Sequence, residues 1–215
     1  MKKAIVIGGT GMVGTQLIKL LIDNDDFTEI LSLVRRSSGI VHPKLNEQII
    51  DFDKPESWKE LVTGDVLFSS LGTTIAQAKS KENQYKIDFT YQFTVAENAA
   101  KNGVSNYVLI SSAGADSTSK IFYSNMKGKL DDAVQSLPFK VISILRPGQL
   151  AGERIEKRLG EKIGLTFMTS LNKFGLLKKY RPIQASQVAH AMINAAYKIE
   201  SDIYTLNQVH ELAKY

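Results

Sequence analysis

A run of four apolar residues, Ala4-Ile5-Val6-Ile7, breaks into three glycines spaced three apart, Gly8, Gly11 and Gly14, and then resumes as Leu17, Ile18, Leu20, Leu21 and Ile22. Few folds accommodate that order. The first run suits a buried strand, the last suits one face of a helix, and the glycines between them make a tight turn. A strand that passes straight into a helix through such a turn opens a parallel sheet: Gly8 frees the backbone, Gly11 admits a pyrophosphate, and Gly14 lets helix and strand pack closely. The helix N-terminus offers unpaired N–H groups and a partial positive charge to phosphates. Gly8, Thr10, Gly11, Met12, Val13 and Gly14 are therefore expected to hold a dinucleotide.

The rest of the chain keeps this alternation. Apolar runs at Ile30–Val34, Gln48–Ile50, Val66–Phe68, Tyr107–Ile110 and Val141–Leu145 are separated by helical patterns or loops. That pattern predicts an α/β fold, a Rossmann-like doubly wound parallel sheet of six strands with both faces covered. Asp53, with Pro55 and Glu56 after it, reads as a capping box that opens a short helix. Gln77–Asn83 reads as a loop, Tyr85–Lys101 as a long helix closed by Asn102-Gly103, and Tyr123–Ser136 and Ser186–Ile199 as further helices. With no linker or repeat, residues 1–215 form one domain, large enough for a full core. Residues 152–183 are less regular and are expected to fold over the carboxyl ends of the strands as a substrate-side cover.

Composition bounds the chemistry. The chain has no cysteine, which excludes disulfides and thiolate sites and fits a reducing compartment, with cytoplasm as the expectation. His42, His190 and His210 lack ligand spacing, so no metal is expected. No run approaches the roughly 18 apolar residues of a membrane span. The net charge of +5 is concentrated between Glu153 and Arg181, where eight basic residues face three acidic ones. This reads as a solvated face rather than a nucleic-acid surface, and it leaves an anionic partner and a homo-oligomer open.

At the end of the second strand, where a site for NAD carries an acid, stand Arg35 and Arg36. A guanidinium grips a 2′-phosphate that a carboxylate would repel, so the expected cofactor is NADP(H). Asp51 and Phe52, closing the third strand, are expected near the adenine. Further along, Tyr123 and Lys127 share one helix face four residues apart, and Ser111 and Ser112 close the strand before that helix. Lysine is too common here for the pair alone to carry weight; its position does. All these groups would converge beside the glycine turn, where a carbonyl reduction needs a proton donor, a hydroxyl to hold the carbonyl oxygen, and an ammonium to stabilise a phenolate.

Gly8-Gly9-Thr10-Gly11-Met12-Val13-Gly14, Leu71-Gly72-Thr73-Thr74, Ser111-Ser112-Ala113-Gly114-Ala115-Asp116, Tyr123 with Lys127-Gly128, and Leu145-Arg146-Pro147-Gly148 occur in the order of atypical short-chain dehydrogenases/reductases. Within them the chain most resembles the Tat-interacting-protein group of NADP-binding oxidoreductases. The resemblance implies strand order 3-2-1-4-5-6, with Leu71, Gly72 and Thr73 near the cofactor's ribose and pyrophosphate and Pro147 and Gly148 beside its nicotinamide. It implies Tyr123 as proton donor, Lys127 as ribose binder and phenolate stabiliser, and one serine, Ser112 before Ser111, as carbonyl holder. The expected function is NADPH-dependent reduction of a small carbonyl compound. An NADP(H)-sensing regulator without turnover and a nucleotide-sugar epimerase are the alternatives.

Overall fold

The computed structural model describes residues 1–151 and 181–214. The strand–turn–helix unit forms as its sequence predicts. β1 (Lys2–Ile7) buries Ala4 to Ile7 completely, and α1 (Met12–Asp23) follows the glycine turn. Gly8 sits at φ +83°, and a β-carbon there would lie 2.5 Å from the Leu71 nitrogen. A β-carbon on Gly14 would collide with the Gly8 carbonyl, so this glycine sets how closely helix and strand approach.

Seven parallel strands follow the order β3-β2-β1-β4-β5-β6-β9, where β2 is Phe27–Val34, β3 Leu45–Ile49, β4 Val66–Ser69, β5 Asn106–Ile110, β6 Val141–Arg146 and β9 Asp202–Thr205. The order reverses between β1 and β4, which opens a crevice at the carboxyl ends of those strands. Strand residues alternate between two cores. Ala4, Val6 and Val108 pack toward α1 and α6 (Ala185–Ala195), whereas Ile5, Ile7, Tyr107 and Leu109 pack on the other face, with residues of α4 (Gln92–Lys101) and α5 (Phe122–Gln135).

Several elements differ from expectation. The sheet gains β9, an edge strand of four residues in which only Ile203 and Tyr204 are half-buried. A short helix, α7 (Asn207–Leu212), follows it. The third strand starts earlier, at Leu45, and ends at Ile49. No capping box forms at Asp53, because Lys86 Nζ and Tyr91 Oη donate to its carboxylate at 2.7 and 2.9 Å; two 3-10 turns, Pro55–Ser57 and Lys59–Leu61, replace the helix. The expected loop at 77–83 instead holds the end of α2 (Ile75–Ala78), capped by Thr74, and the start of α3 (Lys81–Tyr85), capped by Ser80. The long helix is interrupted by a π-helical turn, Lys86–Tyr91, and α6 stops at Ala195 with Ile199 exposed. The cover at 152–183 and the basic run lie outside the described residues apart from 181–183. The chain leaves toward that segment and returns from it side by side, since β7 (Leu150–Ala151) pairs with β8 (Ile183–Gln184).

Candidate active site

Two joined hollows form a trough along the crevice. The first, of about 480 Å³, lies between the Gly8–Gly11 turn, the end of β2 at Arg35 and Arg36, and Phe52. The second, of about 700 Å³, reaches from Gly11 to Ser111, Ser112, Tyr123, Lys127 and Pro147. Gly11 and the Ser70–Thr73 segment line both, so the trough runs unbroken over the glycine turn. Gly11 caps α1 without offering its N–H groups a side chain, which leaves that end open to an anion.

The trough gathers most of the residues singled out from sequence. Gly8, Thr10, Gly11, Arg35, Arg36 and Phe52 line the first hollow, and Leu71, Gly72 and Thr73 line both. Met12, Val13, Pro147 and Gly148 line the second together with both serines, Tyr123 and Lys127. Both line the second hollow, Tyr123 40% exposed and Lys127 only 4%. Asp51 and Gly14 are not among the lining residues. Asp51 accepts the Asp53 N–H at 3.0 Å and pairs with Lys54, and Gly14 packs against Gly8.

The trough also contains an acid that no sequence signal marked. Asp88, 1% exposed on the π turn, borders the second hollow and accepts the Thr73 N–H at 2.7 Å. Gln84 Nε2 donates to the Thr73 carbonyl at 3.1 Å, and Ser69 Oγ joins Gln92, whose amide donates to the Asp88 carbonyl. The Gly72-Thr73 turn is thus clamped to the helix behind it. Burial pushes the Asp88 carboxyl above the usual carboxylate range, and Lys127 and the Thr73 N–H oppose the shift. Deeper still, Asp131 on α5 is fully buried and accepts Arg146 Nε at 2.8 Å. Burial raises it too, against Ser111, Arg146 and Lys127. An acid inside a helix reads as a solvated face, which is why neither was singled out.

The HIM1 family model matches residues 27–181. The chain belongs to the HIM1 family. A curated relative of this HIM1 chain, the mitochondrial protein FMP52 of Candida albicans, is 35% identical over 199 residues, spanning 90% of this chain and 87% of that one. Mitochondrial fmp52 of Emericella nidulans is 37% identical over 207 residues, spanning 92% and 88%. These findings replace the Tat-interacting-protein group with HIM1. The relatives' mitochondrial names also overturn the cytoplasmic expectation; a chain without cysteine fits any reducing compartment equally well.

Solved structures share the HIM1 chain's fold at lower identity. An ADP-L-glycero-D-manno-heptose-6-epimerase from Helicobacter pylori matches with a TM-score of 0.70 at 18% identity, covering 99% of this chain and 81% of its own. A short-chain dehydrogenase/reductase superfamily protein from Agrobacterium tumefaciens, with bound NAD, gives 0.68 at 12%, covering 94% and 76%. The HIM1 chain therefore has the fold of that superfamily, as its motifs imply.

Proposed function

We propose that this HIM1-family protein is an NADPH-dependent oxidoreductase that reduces a small carbonyl compound. One observation carries the reading: Tyr123, Lys127 and the serine pair Ser111 and Ser112 line the same hollow as the N-terminal end of α1. The residues fit the cofactor. The Gly8 turn leaves no room for a side chain, the N-terminus of α1 is open to a pyrophosphate, and Arg35 and Arg36 stand at the far end for a 2′-phosphate. NADPH, when bound, would supply a hydride, the two electrons and one of the two hydrogens that the carbonyl gains. The chain's own groups then handle the oxygen and its proton. A serine hydroxyl donates to the carbonyl oxygen and holds it against Tyr123 Oη, which gives up its proton as negative charge develops. Lys127 stabilises the phenolate left behind and holds the ribose. Pro147 and Gly148 wall the nicotinamide end.

A panel of small aldehydes and ketones, scored by NADPH oxidation beside NADH, tests the reading. Tyr123→Phe is expected to lower turnover by about 100-fold or more while leaving NADPH affinity unchanged, because it removes only the transferable proton. Absence of turnover on every carbonyl, with NADPH still bound, would move the protein to the regulatory reading.

A further inference from the structure

The charged groups around Lys127 suggest a further role, which rests on the reductase reading. Two carboxylates act on this buried ammonium: Asp88 from the π turn, and Asp131 one turn further along α5. With Arg146 they make a cluster of two positive and two negative groups, the balance that buried charges require. Asp131 uses one oxygen, Oδ2, for Arg146. Its Oδ1 is buried without a hydrogen-bond partner of ordinary geometry, and so is Ser111 Oγ, although the serine bears on the same carboxylate. An acceptor and a donor left unpaired at one buried spot are best satisfied by each other, directly or through a single water.

Strand geometry supports that pairing. Along β5, Tyr107 and Leu109 pack on the α4 and α5 face, and Val108 and Ile110 on the α1 and α6 face. Continued one residue past the strand, the alternation puts Ser111 on the α5 side and Ser112 on the opposite side. We infer that Asp131, anchored by Arg146, is a positioning residue that takes the Ser111 hydroxyl and supports the Lys127 ammonium from behind, so that Ser112 is the serine offered to the substrate. Other charged or titratable groups around the cluster are Tyr123, which lines the same hollow, Tyr107 of β5, which feels Asp131, and Asp116, which feels Arg146.

The test uses the full chain and two readouts. With the best carbonyl from the panel, Ser111→Ala is expected to lower kcat several-fold and Asp131→Asn about 10-fold, since the latter also removes the support of Lys127, and the double variant to be no worse than Asp131→Asn alone, because the Ser111 contact is already broken in it. Ser112→Ala is expected to lower kcat about 100-fold and to multiply with Asp131→Asn. Asp131→Asn also moves the alkaline limb of the kcat–pH profile to lower pH, since a negative neighbour of the ammonium is gone; Ser112→Ala leaves the limb in place. The second readout needs no turnover: acetic anhydride labelling at Lys127, mapped by mass spectrometry, is expected to be several-fold faster in Asp131→Asn at pH 8. Multiplying losses for Ser111→Ala with Asp131→Asn, or unchanged labelling, would overturn the inference. If the wild type reduces no carbonyl, the reductase reading fails, and the labelling alone decides whether Asp131 supports Lys127. If Asp131→Asn does not fold, the comparison of Ser111→Ala with Ser112→Ala still decides, because equal kcat losses would put both hydroxyls on the substrate.

Discussion

The arginines at the end of β2 set a prediction about single residues. Arg35 and Arg36 are exposed and line the first hollow. Each is free to make charge-assisted hydrogen bonds to a 2′-phosphate, and such a bond contributes about 1.5–3 kcal/mol. Replacing both with alanine is expected to weaken NADPH binding by about 10-fold or more and to leave NADH binding nearly unchanged, as isothermal titration would show. Equal losses for both dinucleotides would remove the arginines from the site. Residues of this kind were legible because their chemistry depends on place in the motif: glycines after a strand, a basic pair one strand later, a tyrosine four before a lysine. Asp88 and Asp131 were not. What makes them matter is burial beside Lys127, and burial of an acid on a helix comes from the helix behind it, which no local pattern encodes. Asp51 is not among the residues that line the hollow, for the converse reason. Its place in the chain was right, but its carboxylate accepts the Asp53 N–H of its own turn instead.

Among elements, the first strand and helix are joined so tightly that their spacing is a testable quantity. A methyl group on Gly14 would strike the Gly8 carbonyl, so Gly14→Ala must push α1 off β1. Overpacking against backbone costs about 1–3 kcal/mol, and more where nothing can yield. The variant is expected to lose at least that much in urea unfolding, and to bind NADPH more weakly because the α1 N-terminus moves with the helix. Unchanged stability would show that the turn can open. This element was readable because glycine spacing, strand and helix all point to one geometry. The region from Asp53 to Tyr91 was not, since its elements are settled by partners distant in sequence. Asp53 has the residues of a capping box, yet Lys86 and Tyr91 take its carboxylate from more than thirty residues away. The π turn has no sequence signature of its own, though it carries Asp88 to the trough.

The whole molecule is closed at one edge by β9 and α7, the part of the described fold least visible beforehand. The strand Asp202–Thr205 shows no apolar run and forms because β6 offers it an edge, and α7 then fills the core beside α6 with Val209 fully buried. Asn194 Nδ2 on α6 donates to the Leu212 carbonyl at 2.7 Å and ties the two helices together. His210, 7% exposed on α7, gives this closure a pH dependence. Burial lowers its pKa from the ordinary value, and the neighbouring Arg181 adds to the effect. The unfolded chain therefore binds a proton more readily than the folded one. The stability contributed by a neutral His210 is complete above the unfolded value of about 6.5 and is lost as the pH falls below that value and through the lower folded one. Thermal unfolding of the full chain is expected to show a lower Tm at pH 5.5 than at pH 7.5, and His210→Gln to lessen that drop. Because α7 holds the histidine, amide exchange in α7 should accelerate before exchange in β1 as the solution is acidified. A parallel fall in wild type and variant would assign the acid sensitivity to carboxylates elsewhere, and α7 would then close the sheet edge independently of its histidine.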